Sequence, residues 1–230
     1  MTRATKIDWR EAVREGVYPV SFAAKLTGTT NARVASWFRT RDQSRLAPAI
    51  VTHLEPVAGQ LVMPFLGLVE ARFVAHFRKH GLSLQTIRKA ARKLRDMHGL
   101  EHPFATSRRF RTDGRKIMEE EAADDGERRL LDIMTDEWAF PDVIEPSLFD
   151  SVVYVDDLAV RMKPFPEFPA IVVDPRFALG RPVVEPGHIP TATLAAAFKA
   201  EGDVDDVADW YGTDAAAITQ AVGFEQRLAA

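Results

Sequence analysis

The stretch VYPVSFAAKLTGTTNARVASWFRTR, from Val17 to Arg41, leaves its backbone few options. Ala24 is small enough for a second helix to cross closely, and Gly28, four residues on, accepts the positive φ of a tight turn. A helix is therefore expected to open at Val20 or Ser21 and stop at that glycine. Thr30 or Asn31 caps the next helix, and Val34 and Trp37, at i and i+3, form its buried seam. The expected unit is a helix-turn-helix that presents Thr30, Asn31, Arg33, Ser36, Arg39 and Arg41 as candidate DNA contacts. Hydroxyl, amide and guanidinium groups of this kind reach base edges and phosphates. An ordinary helical hairpin with a solvated face would share the spacing; the agreement of spacing, turn residue and charge favours DNA.

Two further basic segments follow. In FVAHFRKHGLSLQTIRKAARKLRDMHG, Phe73, Val74 and Phe77 mark an apolar face before Gly81. Ser83 then caps a helix whose inward positions are Ile87, Ala91 and Leu94. Its other faces carry Gln85, Arg88, Lys89, Arg92, Lys93 and Arg95, which read either as a phosphate-binding surface or as a solvated helix face. In RRFRTDGRKIM, Asp113-Gly114 is a two-residue hairpin turn between short strands, crowded by Arg108, Arg109, Arg111, Arg115 and Lys116. Such a hairpin resembles a wing on the DNA backbone or in the minor groove, or is a plain surface hairpin. Arg109, Arg111 and Arg115 join Gln85, Arg88, Lys89 and Arg92 as candidate DNA contacts.

Charge divides the chain. Of 230 residues, the first 116 hold 22 Lys and Arg against 9 Asp and Glu, and the rest hold 8 against 24, within a net charge of −3. The basic part suits a polyanion and the acidic part does not, so the two ends are expected to have different partners. No apolar run reaches the roughly 18 residues of a membrane span, and the charged start MTRATKIDWREAV lacks a signal-peptide core. With no cysteine, disulfides and thiol catalysis are excluded, which fits a cytoplasmic protein.

The middle, EEEAADDGERR, reads as a linker. RLLDIM after it reads as a short helix, and VVYVDDLAVRMKPF as a hairpin turning at Asp156-Asp157. Ile171–Val173 reads as extended, at a sheet edge. Three helices then close the chain: one capped by Thr191 and ending at Gly202, one around Val204–Tyr211, and one around Asp214–Arg227. Ala208 and Gly212 repeat the Ala24 and Gly28 spacing, and Ile218 and Ala221 pack back. From Ala200 through Gln226 there is no lysine or arginine, so phosphate would be repelled. This copy is expected to meet a protein, another copy of the chain or a basic surface, through Trp210, Tyr211 and Phe224. The expected fold is mainly α with small β-hairpins, an α+β arrangement. It has a basic region over 1–118, an acidic linker and hairpin over 119–170, and an acidic helical domain over 171–230.

The segment DPRFALGRPVVEPGHIPTATLAAAFKAEGDVDDVADWYGTDAAAITQAVGFE resembles a small domain linked to VapB-type antitoxins. It keeps Gly180-Arg181-Pro182 and Ile189-Pro190 but has His188 where the family carries a turn arginine. YPVSFAAKLTGTTNARVASWF and FVAHFRKHGLSLQTIRKA resemble the MerR-like helix-turn-helix to which such domains are fused. The resemblance implies the antitoxin of a type II toxin-antitoxin module. Such a protein neutralises a PIN-like ribonuclease toxin and binds operator DNA as a homodimer to repress its own transcription. The alternative is a MerR-like regulator that answers a small effector and has no toxin partner.

Enzymatic signatures are absent. The chain has no Gly-x-Ser-x-Gly elbow, no phosphate-binding loop ending in Lys-Ser/Thr and no His-Glu-x-x-His. His76 with His80, and His98 with His102, stand four apart, but neither pair has a third ligand in a local motif. The expectation is a protein that is not an enzyme, with no metal and no cofactor.

Overall fold

The computed structural model describes residues 16–39, 47–112, 116–122, 128–135, 138–139 and 149–229. Strand β1 (Tyr18–Pro19) leads directly into α1 (Val20–Thr27), with Pro19 as N-cap, where its missing N–H costs nothing. Gly28 ends α1 in the left-handed region at φ 63°, and Thr29 N donates to Ala24 O at 3.0 Å. α2 (Asn31–Trp37) opens at Thr30, whose hydroxyl accepts from Arg33 N, and it buries Val34 and Trp37. The helix-turn-helix expected from the sequence is present.

Strand β2 (Val62–Met63) pairs antiparallel with β1, and α3 (Phe65–Lys79) follows through the middle of the molecule. α4 (Leu84–His98) starts at Ser83, which accepts from Thr86 N at 3.0 Å, and ends at left-handed Gly99. Next comes an antiparallel sheet in sequential order: β3 (Phe110–Thr112), β4 (Ile117–Ala122), β5 (Arg128–Asp132) and β6 (Trp138–Ala139). β7 (Val152–Val155) and β8 (Leu158–Met162) form a hairpin whose two turn residues, Asp156 and Asp157, both have positive φ. β9 (Ile171–Val172), β10 (Val183–Val184) and β11 (Ile189–Pro190) make a small sheet with β9 at one edge. α5 (Thr191–Glu201), α6 (Val204–Tyr211) and α7 (Ala215–Ala229) complete the chain. The α+β class is as expected.

Two local sequence expectations are corrected here. The EEEAADDGERR segment is not a linker at its ends: β4 and β5 pair from Met118 opposite Asp132 to Ala122 opposite Arg128. Leu130 and Leu131, expected in a short helix, lie in β5, because cross-strand pairing over five residues overrides local preference. The boundary at 118/119 falls inside β4, and Glu119 is buried. Packing also ignores the boundary at 170/171. Phe73 and Phe77 of α3 share one hydrophobic core with Met162, Ile171, Val184, Leu194, Ile218 and Phe224. The charge division is real, but a single core lies beneath it.

That core contains an ion pair no local pattern announces. Glu70, fully buried on α3, accepts from His102 Nδ1 at 2.9 Å and from Phe104 N at 3.2 Å. Phe104 in turn meets Phe77 and Phe110 edge-on, at 5.5 Å and 5.3 Å between ring centres. The carboxylate thus ties the chain after α4 to α3 and carries the aromatic stack into β3. Burial disfavours a charged His102, but the Glu70 hydrogen bond and charge outweigh it and raise the imidazole above its ordinary value of 6.5. A raised folded value contributes stability that is complete below 6.5 and is lost as pH climbs through it. Glu70→Leu is therefore expected to lower the unfolding free energy by about 3 kcal/mol near pH 6. The gap to the parent should narrow toward pH 9, as urea melts at both pH values would show.

Candidate nucleic-acid interface

α2 presents the expected face. Asn31, Arg33 and Arg39 are exposed, Thr30 holds the N-cap, and Ser36 is half-buried with its hydroxyl donating to Arg33 O at 2.6 Å. Arg41 lies outside the described residues. The N-terminal turn of α2 thus offers an amide and a guanidinium, with a second guanidinium at its far end, the arrangement that suits a major groove.

α4 is divided in its role. Gln85, Lys89 and Arg92 are exposed, with Arg92 3.8 Å from Asp96. Arg88 is not a surface contact: it is only 7% exposed, and its guanidinium donates to Ser36 O at 3.0 Å and Arg39 O at 2.9 Å. Those carbonyls lie at the end of α2, where no further helical turn supplies donors. Arg95, one heptad on and so on the same side of α4, donates to Pro48 O and Ala49 O. This face of α4 therefore grips the helix-turn-helix and the loop behind it. The i, i+7 spacing of two arginines beside the Ile87 and Leu94 stripe is the sequence clue to that clamp.

The basic hairpin forms as β3 and β4, with Phe110 opposite Glu119 and Thr112 opposite Ile117. Its turn and Arg115 lie outside the described residues, as does the Arg111 side chain; Arg109 is exposed. Two of its cations already face carboxylates: Arg108 reaches Glu119 at 2.6 Å and Lys116 reaches Asp132 at 2.6 Å. Burial alone would raise the Asp132 carboxyl, but hydrogen bonds from Lys116 and Met134 N hold it below its ordinary value. The hairpin's outward charge is smaller than a count of its residues suggests.

α6 and α7 repeat the N-terminal device in acidic form. Gly212 has φ 63°, matching Gly28, and Thr213 N donates to Ala208 O at 3.0 Å, matching Thr29 N and Ala24 O. Asp214 takes the place of Thr30 as cap, accepting from Ala217 N. Around that turn, Asp205, Asp206, Asp209 and Asp214 are exposed, with Trp210 65% and Tyr211 37% accessible between them. Phe224, expected on the same surface, is a core residue. It is fully buried, with its ring 5.7 Å from Phe165 and 5.9 Å from Phe168, because it extends the inward stripe of Ala217, Ile218 and Ala221. In the turn before β11, His188 adopts φ 53° and stacks on Phe177 with ring centres 3.6 Å apart. His76 and His80 lie together at 4.4 Å, and no third metal-ligating side chain joins them among the described residues. Among those residues no helix is long and apolar enough to cross a membrane.

Comparison with known proteins agrees with this geometry. Residues 17–91, from just before β1 to the middle of α4, match a family described as "Putative DNA-binding HTH domain". Over 213 residues the chain is 26% identical to "Putative antitoxin VapB45" of Mycobacterium tuberculosis (strain ATCC 25618 / H37Rv), covering 85% of this chain and 88% of that protein. The crystal structure of Rv2018 from Mycobacterium tuberculosis shares the fold, with a TM-score of 0.62 at 21% identity over 89% of this chain and 96% of that one.

The two kinds of arginine should separate by stability. Arg88→Met leaves two helix-end carbonyls without their charged donor and is expected to cost about 2 kcal/mol in urea unfolding. Arg33→Ala, at an exposed position, should stay within about 0.5 kcal/mol of the parent.

Proposed function

We propose that this chain is the antitoxin of a type II toxin-antitoxin pair, a cytoplasmic homodimer that represses its own operon and neutralises a PIN-like ribonuclease. The observation that carries the reading is one backbone device present twice with opposite surface chemistry. The basic copy places Asn31, Arg33 and Arg39 outward on a helix of groove-reading size. The acidic copy places Trp210 and Tyr211 among aspartates, a combination suited to the positively charged surface of an RNA-cutting protein. The likeness to an antitoxin along most of the chain supports the toxin partner, and the matched helix-turn-helix family supports operator binding.

In this reading α2 enters the major groove, the exposed side of α4 with Lys89 and Arg92 follows the backbone, and Arg109 at the foot of the β3–β4 hairpin adds a phosphate contact. A two-fold dimer explains how one helix per chain reads a palindromic operator. The acidic copy, with Trp210 and Tyr211 exposed, is left to hold the toxin. Because the last helices share the common core, point substitutions test it better than truncation.

Co-expression with the product of the adjacent gene is the direct test: joint elution and relief of toxicity are expected. A neighbour that neither co-elutes nor harms the cell would sink the antitoxin reading and leave the MerR-like regulator. Trp210→Ala is expected to weaken toxin capture at least tenfold with operator affinity unchanged, as a pull-down and a mobility-shift assay would record. Arg33→Ala with Arg39→Ala is expected to weaken operator binding and lower the slope of log K against log salt by about 2. Salt-titrated fluorescence anisotropy reads that slope.

A further inference from the structure

A cleft of about 690 Å³ lies beside the helix-turn-helix, and most of its lining lies off the face of α2 proposed to meet DNA. One wall is the Thr27–Thr29 turn with Arg33 and Ser36 of α2. A second is the C-terminal half of α3, and the third is the Pro164–Pro166 loop with Arg227 of α7. Five cationic side chains line it, Arg33, Arg72, Arg78, Lys79 and Arg227, and among the described residues no carboxylate does.

The cations differ in how far they are already neutralised. Arg227 pairs with Glu167 and lies over the Phe165 ring at 4.1 Å, so its charge is partly answered. Arg72 is otherwise. It is 8% exposed, and among the described residues it reaches only neutral acceptors: Ser151 Oγ at 3.2 Å, Lys163 O at 3.3 Å, Pro164 O at 3.0 Å and the Met162 sulfur. Burial lowers its guanidinium to about 10, which still leaves it charged at neutral pH. A buried cation held by dipoles alone keeps its full charge, and Arg72 lines the cleft. Beside it, His76 Nε2 is buried with no hydrogen-bond partner among the described residues. Arg78 donates to Leu82 O, and Lys79 is exposed at the end of α3.

We propose that this cleft binds a small phosphorylated molecule of nucleotide size. Cations converging from α2, α3 and α7 call for an anion with several charged oxygens, and guanidinium forks match phosphate geometry. The volume lies within the range of small-molecule sites, and Trp37, Leu84 and Phe165 give the organic part an apolar wall. Arg33 belongs both to the cleft and to the face of α2. On the DNA reading above, an occupied cleft and an operator therefore compete for it, so the ligand weakens operator binding.

Isothermal titration of the full chain with ATP and with inorganic pyrophosphate tests the site, with sodium sulfate at matched ionic strength as control. Both phosphorylated probes are expected to bind once per chain, and Lys79→Glu and Arg33→Glu each to weaken them about tenfold or more. An unchanged thermal melt of Lys79→Glu, whose side chain is exposed, confirms that the variant is folded. Asn31→Ala, outside the cleft, should keep probe affinity while losing operator affinity, so failure of the DNA reading is visible separately. The proposal is overturned if neither probe binds at millimolar concentration, if sulfate matches them, or if Lys79→Glu binds as the parent does. It is equally overturned if Lys79→Glu alters only duplex DNA affinity, since the cleft would then seat backbone phosphates.

Discussion

Arg88 holds the basic helix-turn-helix in place. α2 is only seven residues long, and a helix of two turns does not persist on its own in water. Its N-terminus is fixed by Thr30 and its underside by Val34 and Trp37, but the carbonyls where it ends, at Ser36 and Arg39, are answered by a guanidinium from α4. A charged donor bridging two carbonyls resists rotation of the helix about its own axis, and such rotation would move Asn31 and Arg33 out of register with a groove. The direction in which α2 presents its donors therefore depends on a residue buried beneath it.

A similar logic links the two charge poles. The basic and acidic copies rest on one apolar core, so they occupy fixed positions on one body rather than swinging on a tether. The net charge of −3 describes neither surface.

The helix-turn-helix units were legible because their determinants are local. Ala24 and Gly28, and again Ala208 and Gly212, act within five residues of each other, and the two turns close with the same hydrogen bond. The turn at Asp156-Asp157 was legible for the same reason. What misled was residue type taken without a partner. Charge alone groups Arg88 with Lys89 and Arg92, and aromaticity groups Phe224 with Trp210, yet Arg88 and Phe224 are buried. The β4–β5 pairing was hidden because charge suggested a solvated linker, whereas a strand at a sheet needs only a neighbour with the right register.

The amino-acid sequence by itself determined where α1 and α2, and later α6 and α7, begin and turn, and it placed positive charge at one end of the chain and negative charge at the other. Caps, left-handed glycines and apolar seams act over one or two helical turns, within reach of local spacing. Only the tertiary structure decided which cations face outward. Arg88 meets a carbonyl 52 residues away, Arg72 one 91 residues away, and Glu70 its histidine 32 residues on. A buried charge must find its partner wherever the fold delivers one. A side chain with the same local context therefore becomes a clamp or a contact according to what the rest of the chain packs against it.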